Sequence, residues 1–331
     1  MSRPEVPGRV VVLSGGVGGA RFTRGLLAHL AGSDTAVSVV VNTGDDLWLH
    51  GLRICPDLDT LVYTLGGGID EARGWGRSEE HYVVAGELAA YGAGGEWFTL
   101  GDRDLATHIA RTAMLREGRT LTEVARRLAV RWGVTAEVLP MSDQEVETWI
   151  ELCDPTPDGE TLIHFESWWV RHRAGLPARG FVQKGVERAR PAPGVLDALT
   201  AADLILFPPS NPVVSIGTIL GVPGIADAVR SSAAPVVGVS PIIGDGPVRG
   251  MAGECLRALG VPVTAAGVAG WYHRTHGVLD AWLVDESDAD QLEEVRDLGL
   301  VAAAVPLWMR DPATTGALAG CAVELGARLG R

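Results

Sequence analysis

Short blocks of consecutive apolar residues recur along the chain, separated by stretches whose apolar positions repeat at helical spacing. Val10–Leu13, Val37–Val41, Leu204–Phe207, Val236–Val239, Ala281–Val284 and Val301–Val305 carry almost no polar residue. A strand with one wet face alternates apolar and polar positions, whereas an unbroken run marks a strand covered on both faces, as in a parallel sheet. The first block leads into Ser14-Gly15-Gly16-Val17-Gly18-Gly19-Ala20-Arg21 and then an amphipathic stretch to Leu30, which reads as strand, glycine loop and helix. A final helix is predicted from about Asp311. The pattern predicts an α/β fold, a doubly wound, Rossmann-like, mainly parallel sheet.

The middle of the chain differs. From about Asp70 to Arg190 the pattern is mostly helical and charged. Thr120-Leu121-Thr122-Glu123 is a capping-box signature that starts a helix closed by Gly133. Thr148–Cys153 and Thr161–Glu166 flank the turn Asp154-Pro155-Thr156-Pro157-Asp158-Gly159 and predict a hairpin. Of the pair Trp168-Trp169, one ring is expected in the core and the other toward the cleft or solvent. This reading divides the chain into a nucleotide-binding core, 1–70 and 191–331, and an inserted, mostly helical lobe, 71–190, covering the cleft.

Composition narrows the function. A chain of 331 residues can bury a full core, so neither disulfides nor metals are needed as staples. The net charge of −13 disfavours a nucleic-acid partner, whose backbone demands clustered Lys and Arg. Lys184 is the only lysine and follows no glycine-rich run, which excludes a standard P-loop. Cys55, Cys153, Cys255 and Cys321 are scattered, as expected of reduced thiols. The N-terminus lacks the apolar core of a signal peptide, and no apolar run reaches the roughly 18 residues that span a membrane. A cytoplasmic protein with no membrane partner is expected.

The candidate chemistry falls at strand ends, where open α/β sheets bind ligands. Gly15, Gly16, Val17, Gly18 and Gly19 can bring backbone amides to an anion at a helix N-terminus. The spacing breaks the dinucleotide fingerprint, because Arg21 stands where its last glycine belongs, which disfavours an NAD-dependent oxidoreductase. Asn42-Thr43-Gly44-Asp45-Asp46 offers adjacent carboxylates suited to Mg²⁺. Cys55-Pro56-Asp57-Leu58-Asp59-Thr60 opens another helix, where Asp57 reads equally well as an N-cap. Asp45 and Asp59 are the expected metal pair, with Asp46 next. Pro208–Gly217 is a rigid polar loop whose Ser210, Asn211 and Ser215 can bind a phosphate or base edge, and Ser240-Pro241-Ile242-Ile243 is expected to be a neighbouring wall. His273-Arg274-Thr275-His276 lacks the further ligands of a zinc site.

Together these motifs resemble the 2-phospho-L-lactate transferase family. The resemblance rests on Gly15–Arg21, Asn42-x-Gly44-Asp45-Asp46, Asp57-Leu58-Asp59-Thr60, Pro209–Ile216, Ser240–Ile243 and Arg249-Gly250-Met251-Ala252. Within the family the chain looks like the actinobacterial branch of phosphoenolpyruvate transferases. The resemblance implies a step in making the deazaflavin coenzyme F-420. A guanosine diphosphate ester of phosphoenolpyruvate or of 2-phospho-L-lactate donates its phosphoester unit to the ribityl hydroxyl of the deazaflavin Fo. GMP and F-420-0, in its dehydro form for the enolpyruvyl donor, are the products. It also implies Mg²⁺ and a homodimer. On this reading Asp45 and Asp59 hold the metal, Arg21 adds positive charge and Asp46 accepts the hydroxyl proton. Asn42 and the glycine loop line the donor site, while Ser210–Ser215 holds the guanosine side. The other reading is a non-catalytic nucleotide-sugar-binding regulator of the gluconeogenesis-factor type, which would explain the phosphate pocket but not the clustered acids.

Overall fold

The computed structural model describes residues 6–93 and 97–330; the N-terminal residues of the expected core and residue 331 lie outside them. Seven parallel strands form the central sheet: β1 (Arg9–Ser14), β2 (Ala36–Val41), β3 (Glu137–Pro140), β4 (Leu204–Phe207), β5 (Val236–Val239), β6 (Ala281–Val284) and β7 (Val301–Ala304). Their spatial order is β7-β6-β5-β4-β1-β2-β3, which is doubly wound and reverses between β1 and β4. The unbroken apolar runs are explained by packing on both faces. Val11 and Leu13 join one core, with Ile205, Phe207 and Trp282. Val10 and Val12 join the other, with Leu204, Leu206 and the helices α1 (Gly16–His29) and α5 (Pro312–Leu329).

Local signals set the helix ends. The Asp311 side chain accepts from the Thr314 amide, fixing the start of α5. The Thr120–Glu123 capping box forms as expected at α4 (Leu121–Trp132), and Gly133, at φ 64°, closes it in the left-handed region. Helices α2 (Pro56–Leu65) and α3 (Asp102–Arg116) precede it.

The middle segment is woven into the core rather than simply inserted. Glu137–Pro140, inside the span 71–190, pairs with β2 as the edge strand β3, and α4 contributes Val124, Ala125 and Leu128 to the apolar core around α1 and α2. The expected hairpin is present, with Glu147–Leu152 antiparallel to Leu162–His164, but a third strand, Ala178–Lys184, extends it into a small sheet. Among the described residues no single helix is long and apolar enough to cross a membrane, and all four cysteines are free thiols.

Candidate active site

The loops after β1 and β4 meet where the strand order reverses. The Ser210 hydroxyl clasps one residue of the glycine loop twice, accepting from the Gly15 amide at 3.2 Å and donating to the Gly15 carbonyl at 2.7 Å. This contact leaves no room for side chains. A Cβ at Gly18 would run into the Pro209 carbonyl oxygen, and one at Gly19 into the hydroxyls of Ser14 and Ser210. Gly16 takes φ +64°, which other residues resist. Asn211 caps the short helix Pro212–Ile216 by accepting from the amides of Val213 and Val214, and Ser215 is buried against Gly15.

The start of α2 closes the loop from the other side. Asp57 accepts from the Gly16 amide at 2.7 Å and from Asn42 Nδ2 at 2.9 Å, while Asn42 Oδ1 accepts from the Gly44 amide at 2.9 Å. Asp57 is therefore not the N-cap, a position held by Cys55 with no side-chain cap bond; it bridges the loops after β1 and β2 instead. The amides of Val17 and Gly18 lie in the first turn of α1, where no helix carbonyl stands four residues back to accept from them. Asn42, Ser210 and Asn211 brace backbone, and the Ser240 hydroxyl is spent within its own turn on the Ile242 carbonyl and amide.

Asp45, Asp46 and Glu166 complete a cluster of buried acids around Asp57. Burial, then repulsion from Asp57, Glu166 and Asp46, pushes Asp45 well above the usual carboxylate range. Burial raises Asp57 to about 6 against its hydrogen bonds from Asn42 and Gly16, and Asp46 to about 7 despite Arg53 at 3.6 Å. Glu166 rises to about 8, through burial and then the charges of Asp57 and Asp46. Asp45 Oδ1, both Asp46 carboxylate oxygens and the hydroxyls of Thr43 and Thr148 are buried without a hydrogen-bond partner. Such groups are costly to leave unmet and suit a bound cation with its oxygen ligands.

Asp59 faces a different set. It pairs with the fully buried Arg111 and lies 3.6 Å from His108 Nδ1, whose Nε2 lies 3.6 Å from Asp104. Tyr63 donates to Asp104 at 2.6 Å. Although burial pushes Asp104 up, His108 and Tyr63 hold it below its ordinary value. Ligand atoms of Asp59, Asp104 and His108 converge closely enough to hold a cation, but Arg111 already balances Asp59. Asp59 thus has Arg111, His108 and Asp104 as its main charged neighbours and Asp45 has Asp57, Glu166 and Asp46, while Asp46 also feels Asp59 and Arg111. Arg21 lies apart from both groups, donating to the Glu71 carbonyl, with burial and the charge of Arg249 lowering its pKa.

A cavity of about 360 Å³ opens onto Gly16, Val17, Asp57, Asp59 and Glu166, with Tyr63, Trp75, Tyr82, Phe98 and Trp169 also in its lining. Trp168 is buried and Trp169 faces this cleft, the division expected from the pair. Glu166, His108 and Arg111 carry no motif that marks them, and of the aromatic lining only a tryptophan wall was expected, not Tyr63, Trp75, Tyr82 or Phe98. Two signals were available: Glu166 is a lone acid in the run Phe165-Glu166-Ser167-Trp168-Trp169, and Asp104, His108 and Arg111 recur on one face of α3.

Comparison with known proteins bears on this geometry. Residues 10–305 match the family described as 2-phospho-L-lactate transferase CofD. A phosphoenolpyruvate transferase of Thermobifida fusca is 54% identical over 327 residues, 97% of this chain and 98% of the relative. One from Streptomyces griseus is 55% identical over 318 residues, 96% and 98% of the two chains, and one from Mycobacterium sp. strain JLS is 49% identical over 330 residues, with the same coverage. A crystal structure of a UPF0052-family protein from Bacillus halodurans superposes with a TM-score of 0.64 at 17% identity, covering 96% of this chain and 99% of that one, which speaks to the fold.

Proposed function

The chain belongs to the 2-phospho-L-lactate transferase family, and from that premise we propose that it moves a phosphoenolpyruvyl group from a guanosine diphosphate ester to the ribityl hydroxyl of Fo. GMP leaves, and the dehydro form of F-420-0 is made for coenzyme F-420. The relatives named phosphoenolpyruvate transferase support the enolpyruvyl donor over the lactyl one, and their names disfavour the regulator reading.

The observation that carries the proposal is the junction of an aromatic-lined cavity with the glycine loop and the buried acids. A flat deazaflavin ring suits the space among Trp75, Tyr82, Phe98 and Trp169. Its ribityl chain then runs toward Gly16 and Asp57. The donor diphosphate suits the N-terminus of α1, where the amides of Val17 and Gly18 are available. The guanosine side lies along Ser210–Ser215, and Arg21 and Arg249 supply positive charge on the flank. As the ribityl oxygen bonds to phosphorus, the bond to the leaving GMP oxygen breaks. The hydroxyl proton passes to a buried carboxylate, Asp46 being poised near neutrality. Catalysis is then mainly positioning and charge stabilisation.

The unpartnered oxygens of Asp45 and Asp46 and the mutual repulsion of the acids fit Mg²⁺. Asp45 would hold it beside Asp57, while Asp59, the partner expected from sequence, lines the cavity but is already paired with Arg111. Bound there, Mg²⁺ would supply charge neutralisation for the diphosphate.

Fluorescence titration with Fo, followed by turnover with both guanosine donors, tests the proposal. Tight Fo binding and Mg²⁺-dependent GMP release, faster with the enolpyruvyl ester, are expected. Absence of Fo binding together with a retained nucleotide sugar would return the chain to the regulator reading.

A further inference from the structure

Residues of α3 and α4, with Arg77, line an open groove of about 550 Å³. Its floor is apolar, from Ala106, Ala110, Met114 and Leu128, and its charged lining is Arg77, Arg127 and Arg131, with no carboxylate. In a chain of net charge −13 such a surface is exceptional. None of the three arginines forms an ion pair among the described residues; Arg77 donates through Nη1 to the Arg103 carbonyl at 3.1 Å, and its Nε is buried without a hydrogen-bond partner.

Trp132 organises two of them. The Arg77 guanidinium lies 4.9 Å from its ring centre and that of Arg131 lies 5.2 Å away. Stacking on an aromatic ring fixes a guanidinium plane while leaving its N–H edge free, the arrangement that recognises a carboxylate or phosphate through paired hydrogen bonds. Trp132 is itself held, because its ring fills the space beside Gly68 and meets Tyr63 edge-on at 5.1 Å.

We propose that this groove is a second ligand site, which takes a small organic anion: a carboxylate, sulfonate or phosphate on an apolar body. The anionic group meets the arginines and the body covers the floor. Arg77 also lines the aromatic cavity, so occupancy of the groove is coupled to the catalytic side through one shared side chain. The site stands independently of the transferase reading.

Anilinonaphthalene sulfonate and its uncharged analogue N-phenyl-1-naphthylamine test it on the full-length protein. The wild type binds the sulfonate more tightly than the amine. Arg127→Gln/Arg131→Gln weakens the sulfonate about tenfold or more, since a hydrogen bond to a charged group carries at least that factor, and leaves amine binding unchanged. Both side chains are exposed, so the fold, checked by far-ultraviolet circular dichroism, is retained. Arg127→Glu must weaken the sulfonate more than Arg126→Glu, which alters the same helix off the groove. Equal effects of the two reversals, no preference for the anion, or wild-type affinity in the double variant would overturn the proposal.

Discussion

Asp57 and Asp59 stand two residues apart at the start of α2 and serve opposite arrangements. Asp59 enters a group balanced from within, where Arg111 and His108 answer its charge and Tyr63 and His108 answer Asp104. Asp57 enters a group that repels itself: Asp45 and Glu166 are raised by burial and then by their acidic neighbours, and Asp46 is raised by burial against the pull of Arg53. A buried cluster whose charges pair works mainly as a fastener, although Asp59 Oδ2, His108 Nε2 and Arg111 Nε are buried here without hydrogen-bond partners. An unbalanced one is costly alone and reaches its best state only when a cation and an anionic substrate arrive. The contrast teaches that buried acids mark a working site only where the protein leaves them unanswered.

Breaking the balanced side should have the largest effect. Arg111→Ala strands Asp59 as a buried charge and should cost about 3–5 kcal/mol in urea unfolding, while adding Asp59→Leu should restore much of the loss. On the unbalanced side, Asp45→Asn should lower turnover about 10²–10³-fold and leave the metal-free melting temperature equal or higher. If that variant were instead unfolded, Asp45 would belong with the fasteners.

A pH series sharpens the comparison further. Asp57, Asp46 and Glu166 titrate near 6, 7 and 8 in the fold, against ordinary values of 3.8, 3.8 and 4.5. Between those limits the folded chain binds more protons than the unfolded one, so metal-free stability falls as pH rises from about 4 to 8. Melting curves with chelator should show this decline, and Mg²⁺ should flatten it. The smallest effect belongs to Glu166→Gln. Near pH 4, where folded and unfolded states both keep the Glu166 proton, it should be nearly silent in melting curves, and it should become increasingly stabilising as pH rises toward 8, where only the folded state still holds that proton.

Legibility in the sequence followed the range of the interactions. β4, β5 and β6 were read to the residue because burial on both faces demands continuous apolar runs. β3 was not, since an edge strand with only Val138 and Leu139 between Glu137 and Pro140 carries little such signal. Ala178–Lys184 is half-buried and mixed in character, and it too went unread. At the site, Asp45, Asp46, Asp57 and Asn42 were visible because each lies in a motif at a strand end. Glu166, His108 and Arg111 arrive from the middle segment through long-range packing, which local spacing does not encode. Nor could spacing tell that Arg111 claims Asp59.

The clasp between Ser210 and Gly15 spans 195 positions of the chain. At about 5–20 residues per second on the ribosome, some ten to forty seconds separate the emergence of its two halves. For that interval β1 can pair with β2 but has no β4 beside it, and its free edge is an apolar template for the wrong neighbour. The seam proposed to gather the ligands thus stays open until β4 emerges, with β5, β6, β7 and the α5 that packs on α1 still to follow.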